Sequence, residues 1–210
     1  MQLIVLRLVL SCLLMFTGSV HADDEADDFF ARDSTAAAAL EKQIAMAPPD
    51  DNSPQELCVF LHKRGDAYRR LGRYQQSLTD LRLALDMKQA ASPELWCDRW
   101  RLQGDIHSSI YSSGDWLQLA DYALTVSDEY KNSNKWHYFS SLLWNVDAQL
   151  NLARLRQAEE SFQRAGQLIP ALRQSRAWAT YGANQMGRYS SYAAKMQALR
   201  GNLAESERFR

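Results

Sequence analysis

Residues that carry chemistry are scarce in this chain. It has three cysteines and four histidines among 210 residues. Cys12 and His21 fall in a leader segment, which leaves Cys58 and Cys97 with His62, His107 and His137. Two cysteines are too few for a structural zinc site, and the histidines form no HExxH or other tight ligand spacing. The sequence also lacks a phosphate-binding glycine loop, a dinucleotide fingerprint and a GxSxG elbow. Glu159 and Glu160 are sequence neighbours on a helical pattern. They therefore point apart, whereas the paired carboxylates of a hydrolase converge on one bond. The serine pairs 108–109 and 190–191 have no base close by in sequence. No catalytic residue, metal or cofactor is expected.

Long apolar runs are missing too, except at the start. Residues 1–22 carry one early cation, Arg7, then LVLSCLLMF, and end GSVHA with small residues at Val20 and Ala22. The run is too short to span a bilayer and is followed at once by DDEADD. It reads as a secretory signal cleaved after Ala22, which predicts a periplasmic or secreted protein without membrane insertion after cleavage. A lipoprotein reading would use Cys12, but Leu10 and the apolar residues beyond Cys12 fit it less well. Charge of one sign is equally absent. The 24 basic residues less Arg7 leave 23 against 25 acidic ones, where a nucleic-acid binder would need a clustered basic face. No nucleic-acid partner is expected, and the acidic DDEADD is read as a solvated tail.

What the chain does have is regular punctuation. Breaks fall at 47–54, 90–93, 128–134 and 169–171, and the segments between them are rich in Ala, Leu, Arg, Gln and Glu, which favour helix. Apolar residues recur at three- and four-residue steps, as in Leu78, Leu81, Leu85 and in Leu155, Ala158, Phe162, Ala165. Sustained alternation of the β type is lacking, so the fold class is all-α. Gly72, Gly114 and Gly187 each stand two residues before an aromatic, Tyr74, Trp116 and Tyr189; Ala153 and Leu155 hold the same places in the third segment. A glycine after a helical run supplies the left-handed cap. The motif predicts a helical-hairpin elbow written four times. A further helix is predicted from about Phe29 to Met46.

In these features the chain resembles the tetratricopeptide repeat, a 34-residue helical hairpin. The first copy, from Cys58, places Gly65, Tyr68, Gly72, Tyr74, Ser77, Leu81 and Ala84 at the pattern's positions. The third, from Phe139, has Ala158, Phe162, Ala165 and Pro170. The fourth, from Arg173, has Gly187 and Tyr189 but Tyr192 where Ala is usual. The second, about Trp96 to Asp128, is irregular. The resemblance implies an α-solenoid of about four such hairpins over residues 55–206, preceded by the leader (1–22) and by an acidic tail with the extra helix (23–54). Gly65, Ala84, Ala158 and Ala165 would let helices approach, and Trp96, Trp100, Trp116, Trp144 and Trp178 would fill the space between layers.

The resemblance also implies a binding face. In that family the first helices line a concave groove that holds a partner segment. Carried over, the groove presents Asp66, Asp105, Asp147 and then Tyr181. Around them fall His62, Arg69, Arg70, Asp98, Arg101, Asn151, Asn184 and Gln185. An acidic line of this kind suits a segment with basic and polar side chains. Cys58 and Cys97 both take the first position of their repeats. Export would put them in an oxidising compartment, so a Cys58–Cys97 disulfide and two small buried thiols both stay open. The last helix, about Tyr189 to Ser206, has an apolar face from Tyr192 to Leu203 with no unit after it to cover it, so self-association through it is one expectation. The functional expectation is an exported scaffold or assembly factor of the bacterial envelope that binds another protein. The alternative is the N-terminal helical module of a larger enzyme or sensor.

Overall fold

A computed structural model of the chain describes residues 34–49, 53–87, 97–202, 206 and 208. The leader, the acidic tail, the break at 90–93, Trp96 and the first residues of the helix expected from Phe29 lie outside the described residues. The chain divides into two compact units, Met1–Ala47 and Pro48–Arg210. In the first, α1 spans 34–44 and consists largely of strong helix formers, AAAALEKQI.

The second unit contains α2 (Pro54–Arg70), α3 (Tyr74–Asp86), α4 (Arg99–Ser113), α5 (Trp116–Tyr130), α6 (Lys135–Asn151), α7 (Leu155–Arg173) and α8 (Trp178–Leu199). Every regular element among the described residues is a helix. Helix starts follow local chemistry. Ser53 Oγ accepts from the Glu56 amide ahead of Pro54, Asp98 from Arg101, and Asp115 from Gln118. Asn134 Oδ1 accepts from both Trp136 and His137. Each of these satisfies amides that the helix itself cannot.

The elbows at Gly72 and Ala153 share one geometry. Gly72 N donates to Arg69 O at 3.0 Å and Arg73 N to Tyr68 O at 2.8 Å; Ala153 N donates to Leu150 O at 3.1 Å and Arg154 N to Gln149 O at 2.8 Å. This is the paired closure of a left-handed cap, with φ of +74° at Gly72 and +56° at Ala153. Gly114 caps α4 with φ +76°.

Two sequence expectations need correction. Gly187 and Tyr189 do not form a fourth elbow, because α8 runs through them from Trp178 to Leu199. The same three letters that end a helix at 72–74 are held helical here by tertiary contact. The Tyr189 ring stacks on Phe162 at 4.0 Å, against a cost of about 1 kcal/mol for glycine inside a helix. The second unit therefore holds three helical hairpins and one long final helix among its described residues, not four hairpins. Nor does the chain break at 169–171. Pro170 lies inside α7, which continues to Arg173. Fully buried Leu172 fastens that last turn to the core.

Each helix from α2 on packs against its successor, and α2 also meets α4 as α6 meets α8. One apolar cluster joins α2 to α5 through Leu61, Leu78, Leu81, Leu102, Ile106, Ile110 and Leu119. A second joins α6, α7 and α8 through Phe139, Leu142, Leu143, Val146, Leu172 and Met196. Close approach depends on small residues. Gly65, Ala84, Ala158 and Ala165 are all buried, and a Cβ on Gly65 would come within 2.8 Å of Leu81 Cγ. Helix α6 is the centre: every residue from Phe139 to Leu150 is buried. Its Asn145 donates to Ala120 O of α5 and accepts from Ser161 of α7, so a polar side chain inside the core is satisfied on both sides.

Candidate functional site

Heptad spacing of rings builds the site. Trp100 and His107 lie seven residues apart on α4, and His137 and Trp144 seven apart on α6. Seven residues are about two helical turns, so each pair shares a face. The two pairs interleave in the order His137, Trp100, Trp144, His107. Successive centroids are 4.0, 4.9 and 4.3 Å apart, with ring planes within 15° of parallel. The order ascends along both helices. Tyr130 braces the stack edge-on against Trp100 and His137 and is itself held by donating to Gln103 Oε1 at 2.8 Å.

Beside this stack lies a cleft of about 520 Å³ between α4, α6 and α8. Trp136, Ser140 and Trp144 follow at four-residue steps along α6. Tyr181, Gln185 and Arg188 follow at steps of four and three along α8, and Trp100, Asn134, His137 and Ala177 complete the wall. Trp136 is fixed by its indole N–H, which donates to Ser175 Oγ at 2.9 Å, and by edge and tilted contacts to Phe139 and Trp178. Tyr181 stands at the mouth, 58 % exposed.

The electrostatics are simple. Burial, and then the charge of Arg188, push the His107 imidazole down to about 3. Burial also lowers His137, against the opposing pull of Asp98 and Glu129. Neither ring is charged at neutral pH. Arg188 is then the single formal charge among the residues that line the cleft. Its polar neighbours are neutral: Gln185 Oε1 at 3.5 Å and the Tyr192 hydroxyl. Among the described residues it forms no ion pair.

The residues singled out from sequence take different places. His62 has no exposed surface. Its Nδ1 accepts from the Cys97 amide at 3.2 Å, so Nε2 donates to Asp105 at 2.7 Å. Cys58 and Cys97 form a disulfide with Cα atoms 6.0 Å apart, which ties α2 to the residue just ahead of the α4 cap. Asp66 pairs with Arg69. Asp147 is buried, 3.5 Å from Lys195 Nζ, and Asn151 donates to its carbonyl. Arg70 and Asn184 are exposed and Arg101 is half-buried. Each of the three aspartates thus has a partner within the protein, Arg69 for Asp66, His62 for Asp105 and Lys195 for Asp147. Of the sequence candidates, Tyr181 and Gln185 reach the cleft. Trp100, Trp136, His137, Trp144 and Arg188 were not among those candidates. The signal that could have found most of them was the paired seven-residue spacing of rings in two consecutive first helices.

Elsewhere, Glu159 is bound by Arg200 at 2.6 Å while Glu160 is exposed, so the adjacent carboxylates do not converge. Compared with known proteins, the chain matches no family model, no curated protein and no solved structure.

Proposed function

We propose that the chain is an exported α-solenoid of tetratricopeptide type that binds a segment of another protein in the cleft between α4, α6 and α8. It would act as a scaffold or assembly factor in the bacterial envelope. Sequential packing supports this reading, because hairpins that bury their apolar stripes by stacking meet only their neighbours. The ascending ring order supports it too, since equivalent helices of stacked hairpins run in the same direction. Export rests on the leader sequence, and no described helix is long and apolar enough to cross a membrane.

The observation that carries the proposal is the fixed aromatic wall. Trp100 and Trp144 are clamped within the stack, and Trp136 is held by Ser175. A ligand therefore meets rings already in place and loses less ordering entropy on binding.

The test is site-specific photocrosslinking in envelope extract, with the reactive side chain at position 181 and, as a control, at exposed position 160. The proposal predicts an adduct at 181 that disappears with Trp136→Ala and is absent at 160. Equal labelling at both positions, or labelling at 181 that ignores Trp136, refutes it.

A further inference from the structure

We infer that the segment held in the cleft carries a carboxylate and a planar ring about three residues apart, the carboxylate on Arg188 and the ring against Trp136 and Tyr181. This rests on the reading of the cleft as a segment-binding site and adds its chemistry. It also reverses the charge preference expected from the sequence.

No carboxylate lines the cleft, and Arg188 is its one cation. The acids near it are already engaged. Glu129 is held by Arg99 at 2.5 Å and by Gln103 at 2.8 Å, Asp98 caps the Arg101 amide, and Asp147 faces Lys195. On α4 and α6 the two imidazoles nearest Arg188 and the stack are kept neutral by burial. Arg188 is left with Gln185 and Tyr192, both uncharged. A guanidinium in this state lacks the bidentate acceptor that matches it, and a carboxylate from outside supplies that geometry.

The aromatic rings of the cleft differ in which faces a ligand can reach. Trp100 has rings on both faces, and so has Trp144. Neither can stack on a ligand; they present edges, which carry the positive part of the ring quadrupole and attract oxygen. Ring recognition therefore falls to Tyr181 and to Trp136, whose neighbours are edge-on or tilted. A neutral sugar chain would want open indole faces on the stack itself and has no use for the lone cation.

Spacing completes it. Tyr181 and Arg188 are seven residues apart on one face of α8, or about 10 Å along the axis. An extended peptide covers that distance in about three residues. Ser140, Asn134 and Gln185 lie between and beside them as partners for the peptide's own amides and carbonyls.

The experiment titrates the purified protein with blocked hexapeptides by calorimetry. The reference probe is Gly-Tyr-Ser-Ser-Asp-Gly, with its reverse-order form. Variants replace the acid by Asn or Lys, or the ring by Ala, and a chitin tetrasaccharide is run alongside. The expected result is that the reference in one of its two directions binds, and that Asn for Asp or Ala for Tyr weakens it by about tenfold, a loss of about 1.4 kcal/mol. Arg188→Gln should abolish the preference for Asp over Asn and leave the preference for Tyr over Ala. Tyr181→Ala should do the opposite, so each variant serves as the folding control of the other. Equal affinity for the Asp, Asn and Lys peptides overturns the inference. So does tighter binding of the Lys peptide, binding of the tetrasaccharide alone, or no binding of any peptide at about 1 mM. A Trp136-dependent crosslink at position 181, found together with charge-blind peptides, would leave segment binding standing and remove only this specificity.

Discussion

His107 should make the protein acid-labile in a way that can be separated from ordinary carboxylate titration. Its ring closes the stack on Trp144 at 4.3 Å, and its Nε2 is buried without a hydrogen-bond partner. Burial and the nearby Arg188 push its imidazole down to about 3, against about 6.5 in an unfolded chain. The folded protein therefore stays neutral at this position while the unfolded chain takes up a proton. The stabilisation is fully present above pH 6.5 and is lost as pH falls toward 3, at about 1.4 kcal/mol per unit. Between pH 7 and pH 5 the loss amounts to about 2 kcal/mol. For a chain of this size that corresponds to a drop in Tm of about 4–8 °C. The assay is thermal unfolding followed by circular dichroism across that range, for the parent and for His107→Phe, which keeps a ring in the stack but cannot titrate. Carboxylates affect both proteins alike, so the difference between the two curves isolates His107. Parallel curves would refute the reasoning, as would an NMR titration placing His107 near 6.5.

Other consequences are equally concrete. The disulfide closes a loop with a sequence separation of 39 residues, so Cys58→Ala with Cys97→Ala should cost about 2–4 kcal/mol in urea unfolding; an unchanged midpoint would contradict the bridge. Ala153 holds φ +56° where the other elbows have glycine. Ala153→Gly should therefore raise stability by about 0.5–1 kcal/mol while Gly114→Ala lowers it by a similar amount. Chemical denaturation of both variants checks the pair of opposite signs.

Local chemistry made much of this fold legible in the sequence. The breaks at 47–54 and 128–134 end at real helix starts, because Ser53 and Asn134 within them accept from the first amides of the helices that follow. Gly72 and Gly114 announce helix ends because the left-handed turn needs no more than its own residue. Gly187 carries the same letters and does not end a helix. Its fate is decided by the stacking of Tyr189 on Phe162, a contact between α8 and α7 that no local pattern encodes. Pro170 failed as a stop for a similar reason, since Leu172 is buried beyond it. The site was harder still. Asp66, Asp105 and Asp147 look open as letters, yet Arg69, His62 and Lys195 take them up in three dimensions. The tryptophans look like packing, and Trp100 and Trp144 do pack. Their place beside Arg188 depends on how α4, α6 and α8 come together.

Binding in the cleft can be followed at the rings themselves, through the indole N–H signals of the protein by NMR while the Tyr- and Asp-bearing peptide is added. Trp136, Trp100 and Trp144 line the cleft, whereas Trp116 packs against the core of the first two hairpins. The first three signals should move together along one saturation curve, Trp116 should stay in place, and Arg188→Gln should shift the curve to higher peptide concentration. Movement of Trp116 alone, or stationary signals from the three cleft indoles at saturating peptide, would contradict binding in the cleft.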